Sequence, residues 1–134
     1  MTRLTEIEGI GENFARKLQN AGIQSTQALL DKGCSTKGRR ELAQNTGISE
    51  SMLLRWINCA DLFRIKGVGE EYADLLEAAG VDTVPELAQR NADNLAAKMA
   101  EVNETKTPVR QVPSAASVTK WVDEAKELGR KITY

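Results

Sequence analysis

The chain repeats itself. Residues 7–23, Ile-Glu-Gly-Ile-Gly-Glu-Asn-Phe-Ala-Arg-Lys-Leu-Gln-Asn-Ala-Gly-Ile, align without gaps with residues 65–81, Ile-Lys-Gly-Val-Gly-Glu-Glu-Tyr-Ala-Asp-Leu-Leu-Glu-Ala-Ala-Gly-Val, at an offset of 58. Eight of the seventeen positions are identical, and Ile10/Val68, Phe14/Tyr72 and Ile23/Val81 are close substitutions. A chain of 134 residues built twice from one unit must solve the same packing problem twice.

The repeat runs beyond this segment. Leu53-Leu-Arg-Trp-Ile-Asn-Cys-Ala60 matches Val118-Thr-Lys-Trp-Val-Asp-Glu-Ala125, and Glu41–Thr46 matches Lys98–Asn103. The offset changes between these blocks, which places an insertion near Glu104–Pro113, a stretch holding two of the three prolines. It reads as an extended loop. The domains expected are 1–60 and 61–134, the second carrying the Pro-containing loop 104–113.

Apolar residues recur at helical spacing. Phe14, Ala15, Leu18 and Ala21 form one stripe, and Tyr72, Ala73, Leu76 and Ala79 repeat it. Gly22 and Gly80 stand where left-handed C-cap glycines belong. Ser25 and Thr83 are N-cap candidates, Thr83 with Glu86 fits a capping box, and Pro85 falls in a first turn. The pattern predicts helices over 11–21, 26–32, 37–46, 50–64, 69–79, 84–91, 93–103 and 114–128, with a short helical turn before Glu8. No stretch alternates with period two, so no sheet is expected. The fold class predicted is all-α, two modules sharing one core in one compact helical unit, because sixty residues bury little surface alone.

The sequence narrows the chemistry. There is no histidine, which removes the usual general base and the commonest metal ligand. Cys34 and Cys59 are too few for a four-ligand zinc site. No cofactor, metal, small-molecule substrate or enzymatic activity is expected. Nothing resembles a signal peptide or a membrane span, so the expectation is a cytoplasmic protein with free thiols and no membrane partner. Net charge is −1, which excludes a strongly basic binder. Residues 1–64 hold nine Lys and Arg against seven Asp and Glu, whereas residues 65–134 hold nine against twelve. Lys32, Lys37, Arg39 and Arg40 form the basic cluster.

The order Ile7, Gly9, Ile10, Gly11, Ala15, Leu18, repeated as Ile65, Gly67, Val68, Gly69, Ala73, Leu76, resembles the helix-hairpin-helix superfamily. With its flanking helices, almost the whole chain resembles DUF4332-type domains, which carry such tandem hairpins and whose function is undefined. Asn20–Thr26 and Ala78–Val84 also resemble the C-terminal domain of the bacterial RNA polymerase alpha subunit, which touches DNA and proteins. The resemblance implies a nucleic-acid backbone held without sequence readout. Its contacts here would be the backbones of Gly9, Ile10 and Gly11, and of Gly67, Val68 and Gly69. Read from charge alone, Arg16, Lys17 and the cluster Lys32, Lys37, Arg39 and Arg40 would support the first of these. Glycines admit a phosphate closely, and the first N–H groups of the next helix lack internal partners and lie at the positive end of its dipole.

Two readings stand side by side. The turns either contact phosphate or only let helices cross tightly. Glu12 after the first turn, and Glu70 and Glu71 after the second, place carboxylates where a phosphate would come. Like charges at 4 Å cost about 1 kcal/mol in bulk water, comparable to one hydrogen bond. Gly67, Val68 and Gly69 are therefore read as mainly structural. Trp56 and Trp121 are read as core, and Cys34 and Cys59 as inert. The functional expectation is a non-enzymatic module with weak binding to DNA or RNA backbone through the first hairpin. The alternative is a protein-interaction or scaffold module that has lost phosphate binding, with Glu70, Glu71, Asp74 and Glu77 as a docking face.

Overall fold

A computed structural model describes residues 3–7, 9–106 and 112–133. Glu8 and residues 107–111 of the expected loop lie outside the described residues. Among those described, the chain is all-helical, as the periodicity predicts. A single 3-10 turn, Leu4–Glu6, precedes α1 (Glu12–Asn20), α2 (Thr26–Gly33), α3 (Thr36–Thr46), α4 (Glu50–Leu62), α5 (Glu70–Ala78), α6 (Val84–Ala88), α7 (Ala92–Lys106) and α8 (Ala115–Leu128).

The residues sort into two compact units. Unit 1 comprises residues 1–61 and 131–134, and unit 2 comprises 62–130. Each carries its own set of buried aliphatic side chains: Leu18, Leu29, Leu30, Leu42, Leu53 and Ile57 in unit 1, and Leu75, Leu76, Leu87, Leu95, Met99 and Val118 in unit 2. In unit 2, α8 packs against α6 and α7, and α5 against α7; in unit 1, α2 packs against α3.

Local chemistry sets the ends of the helices. Ser25 caps α2 by accepting the Ala28 N–H at 3.2 Å, Ser35 caps α3 through the Gly38 N–H at 3.1 Å, and Ser114 caps α8 through the Ser117 N–H at 3.1 Å. Both copies of the core helix stop in a Schellman motif. The Ile23 N–H reaches back to the Leu18 carbonyl at 2.9 Å and Gly22 N–H to Gln19 at 3.0 Å; Val81 to Leu76 and Gly80 to Glu77 repeat this at 2.8 and 3.0 Å. Gly22 and Gly80 have φ of 89° and 94°, the left-handed region the motif requires.

Four expectations are corrected. The Thr83 side chain makes no cap to backbone; its hydroxyl donates to the Glu86 carboxylate at 3.2 Å, so the capping box does not form. α6 ends at Ala88 rather than 91, because Asn91 starts α7 by accepting the Asn94 N–H at 3.0 Å. α7 continues through Glu104–Lys106, which were expected to be loop; these residues hold no helix breaker, and Pro108 stands two residues further on. α4 stops at Leu62 rather than 64, where an Ile65 N–H to Leu62 carbonyl bond of 3.1 Å tightens the chain into the second Gly-h-Gly turn.

The α2–α3 corner needs glycine on both sides. A Cβ on Gly33 would run into the Ile57 side chain, and one on Gly38 into the backbone carbonyl of Lys32. A side chain can shift, but a helix carbonyl cannot without moving the helix. Gly38→Ala therefore loses about 2 kcal/mol through overpacking, despite the better helix propensity of alanine. Urea unfolding measures this, and a change within about 0.5 kcal/mol, the range of an ordinary surface substitution, contradicts it.

Candidate functional site

The Gly-h-Gly segments fold alike in the two units. In unit 1 the Ile10 N–H closes a turn on the Ile7 carbonyl at 3.1 Å, and Gly9 adopts φ of 95°. In unit 2 the Val68 N–H closes on Ile65 at 3.1 Å, with Gly67 at φ of 91°. Positive φ at the third residue of such a turn is why glycine stands there. Ile10 and Val68 point inward, 4% and 5% exposed, and anchor the turn to the core.

A tryptophan backs each turn. The indole Nε1 of Trp56 lies 3.2 Å from where a Cβ on Gly9 would be, and that of Trp121 lies 3.4 Å from the same point on Gly67. Phe14 packs on Trp56 and Tyr72 on Trp121, each with ring centroids 5.2 Å apart and planes tilted by 59° and 53°. Both indoles are core residues, 2% and 5% exposed, as the sequence reading expects.

The next glycine differs in kind. Gly11 is the N-cap of α1 with φ of −86°, and a Cβ there would meet nothing within 4 Å; Gly69 caps α5 with φ of −104° and the same open space. Neither backbone conformation nor internal packing calls for glycine at these positions. Neither cap brings a side chain to the first N–H groups of its helix. Serine, aspartate or asparagine would cap better, so the arrangement leaves the N-terminus of α1 open to solvent at some cost in helix stability.

The charged residues are distributed unevenly. Arg16 and Lys17 are exposed on α1, and Lys17 holds its ammonium 5.5 Å from the Phe14 ring centroid. Glu12 is exposed in the first turn. Lys37 and Arg40 are exposed on α3. Lys32 pairs with Glu41 at 2.8 Å across the α2–α3 corner. The Lys32 ammonium, by hydrogen bond and by charge, holds the Glu41 carboxyl below its ordinary range, and Lys37 adds a smaller pull in the same direction.

Arg39 is a correction. The sequence places it in the basic cluster, but it is 5% exposed and turned inward. Its guanidinium donates to the Gly33 carbonyl at 2.9 Å, the Thr36 hydroxyl at 3.2 Å and the Thr133 carbonyl at 2.7 Å. The Thr133 N–H in turn donates to the Cys34 carbonyl at 2.7 Å, Lys131 pairs with Asp31 at 3.3 Å, and Ile132 is buried at 2% exposure. Arg39 thus ties the last residues of unit 1 to the end of α2 and is withdrawn from any surface. The fork of its planar guanidinium explains why arginine serves here.

Two features escaped the sequence reading. One is the docking of residues 131–133. The other is Glu124, whose carboxylate oxygens both lie 3.2 Å from the Lys66 N–H in the second turn. Glu124 stands three residues after Trp121, and its counterpart three residues after Trp56 is Cys59. The aligned tryptophans mark the position of Glu124 but not its bond to Lys66. Arg64, also in unit 2, donates to the Leu128 and Gly129 carbonyls at 3.2 and 3.3 Å and caps the end of α8.

Among the described residues no helix is long and apolar enough to cross a membrane, and no cluster of three or more Cys, Asp or Glu side chains is placed to hold a metal. What fold and site define is a small all-α protein carrying two copies of one Trp-backed Gly-h-Gly turn. Residues 8–128 match the family described as Domain of unknown function (DUF4332), and the chain belongs to that family. No curated protein and no solved structure matches it.

Proposed function

We propose that the two Gly-h-Gly segments are helix-hairpin-helix elements, and that the first contacts a nucleic-acid backbone, DNA or RNA, without reading sequence. The observation that supports this most is Gly11. Its glycine is required by neither φ nor packing, and it leaves the start of α1 uncapped beside an exposed turn. A glycine that costs helix stability and serves no internal contact fits a surface built for close approach from outside. The groups offered are the N–H groups of Gly9 and Gly11 and of the first turn of α1, with Arg16 and Lys17 exposed on the same helix; the Ile10 N–H, also expected as a contact, is taken by the Ile7 carbonyl. Lys37 and Arg40 add longer-range attraction, and Lys32 is partly neutralised by Glu41.

No chemistry is asked of these residues beyond charge and hydrogen bonding. The module is proposed as non-enzymatic. Its affinity should be modest, because Glu12 opposes a phosphate at close range, and it should be strongly salt-dependent, because phosphate contacts release counterions. Anisotropy of a labelled duplex across a salt series tests this. Affinity should fall steeply between about 50 and 200 mM salt, and the double variant Lys37→Glu/Arg40→Glu should weaken it further without unfolding the chain. Absence of binding at about 50 mM salt, where electrostatic contacts are least screened, contradicts the reading.

A protein-interaction role is the second reading. Glu70, Glu71 and Glu77 are exposed on α5, a surface suited to a basic partner. A co-purifying protein lost on Glu70→Lys/Glu71→Lys would favour it.

A further inference from the structure

Residues 131–133 lie on the α2–α3 corner of unit 1 in the manner of a bound peptide. Lys131 and Thr133 are exposed and Ile132 between them is buried, the alternation of an extended strand. Both main-chain groups of Thr133 are paired: its N–H donates to the Cys34 carbonyl at 2.7 Å, and its carbonyl accepts from Arg39 at 2.7 Å. Its hydroxyl adds a bond to the same Cys34 carbonyl at 3.3 Å. The Lys131 ammonium meets the Asp31 carboxylate at 3.3 Å. Main-chain bonds that hold, one buried side chain that selects and a flanking charge pair are the means by which extended peptides are recognised.

The receiving half is built from the corner itself. The Arg39 guanidinium is fixed by the Gly33 carbonyl at 2.9 Å and the Thr36 hydroxyl at 3.2 Å, so two of its bonds survive when the segment leaves. Asp31 is oriented by Gln27, whose amide donates to it at 3.0 Å. The carbonyls at the end of α2 carry the negative end of the helix dipole, which suits an incoming N–H and a lysine. A site fixed before its ligand arrives loses little order on binding. It is set for a short extended segment of the pattern basic, aliphatic, threonine.

The hold on the chain changes over within one residue. Arg64 of unit 2 donates to the Leu128 and Gly129 carbonyls, and Lys131 already pairs within unit 1. Arg130 alone lies between the two anchorages. A short hinge favours exchange of identical segments between copies, because every contact of the segment is remade in the exchange. We propose that the α2–α3 corner is a receptor for residues 131–133, filled in cis by the chain itself and in trans by a second copy, which gives dimers by segment exchange. The inference goes beyond the reading of the first hairpin and does not depend on it.

A fluorescently labelled peptide of residues 128–134, Leu-Gly-Arg-Lys-Ile-Thr-Tyr, probes the receptor. In the wild type the cis segment competes with it at an effective concentration of about 1 mM. Ile132→Asp releases that segment by putting a charge in the buried position, and Thr133→Pro releases it by removing the N–H donor; neither substitution touches the corner. Each full-length variant should bind the peptide about tenfold or more tightly than the wild type does. The peptide carrying Ile132→Asp should bind none of them. Deleting Arg130 shortens the hinge by about 3.5 Å. At concentrations where the wild type sediments as a monomer, the deletion should sediment as a dimer with the Thr133 amide still protected from exchange, and excess peptide should return it to monomer. Peptide binding to both variants that is absent or no tighter than to the wild type overturns the receptor. A monomer on deletion of Arg130 overturns the exchange between copies.

Discussion

Trp56→Ala should cost unit 1 about 4 kcal/mol, the largest single effect expected in this unit. The indole is almost wholly buried and fills the space between Phe14 and the back of the Gly9 turn. Truncation leaves a cavity the surrounding helices cannot close. About 1 kcal/mol of the loss belongs to the tilted ring pair itself and should appear as coupling energy in a double-mutant cycle with Phe14→Leu. The consequence reaches function. The turn loses its backing, and the Ile10 amide, bonded to the Ile7 carbonyl, should exchange with solvent faster. Trp121→Ala should do the same to the Val68 amide of unit 2. Urea unfolding and amide exchange together measure both, and a loss below about 1 kcal/mol would place Trp56 outside the core.

Arg39→Ala comes next, at about 3 kcal/mol. Removing the guanidinium leaves the Gly33 carbonyl without its donor in a buried site and the Thr133 carbonyl without its donor in a part-buried one, and bonds to a charged group are worth about 1.5–3 kcal/mol each. Arg39→Lys should recover little of this, because one ammonium cannot reproduce a planar fork that reaches the carbonyl at the end of α2, a hydroxyl and a tail carbonyl together. The local signature is release of residues 131–133: the Thr133 amide, bonded to the Cys34 carbonyl, should lose its protection. Unchanged Thr133 exchange in Arg39→Ala would contradict the clasp. The same geometry means that reversing Arg39 tests folding rather than nucleic-acid binding, so Lys37 and Arg40 carry that test.

How much of this could be read from the chain differs by level. The helices were legible because the duplication supplied two independent instances of each pattern, and Ser25, Gly22 and Gly80 marked ends by chemistry that acts within one turn. The end of α6 was missed because Asn91 competes for the same residues, and a cap is visible only once the preceding helix is known to stop. The turns were legible through glycine alone. Arg39 was not. A guanidinium next to Arg40 in a run of basic residues reads as surface, and what turns it inward is Thr133, 94 residues away. Glu124 was hidden for the same reason: its partner is a backbone N–H 58 residues earlier. Long-range side-chain to backbone bonds leave no periodicity behind.

In the proposed reading the first turn contacts phosphate and the second, with Glu70 and Glu71 directly after it, does not. Exchange of the two cap glycines for serine tests it most directly, because serine caps the helix with its own hydroxyl and changes no charge. Gly11→Ser should leave the fold as stable as the wild type or more so by a few tenths of a kcal/mol. It should also weaken duplex binding at low salt. Gly69→Ser should leave binding unchanged. Equal affinity in the wild type and Gly11→Ser would contradict the claim, and would return both turns to the role of packing devices.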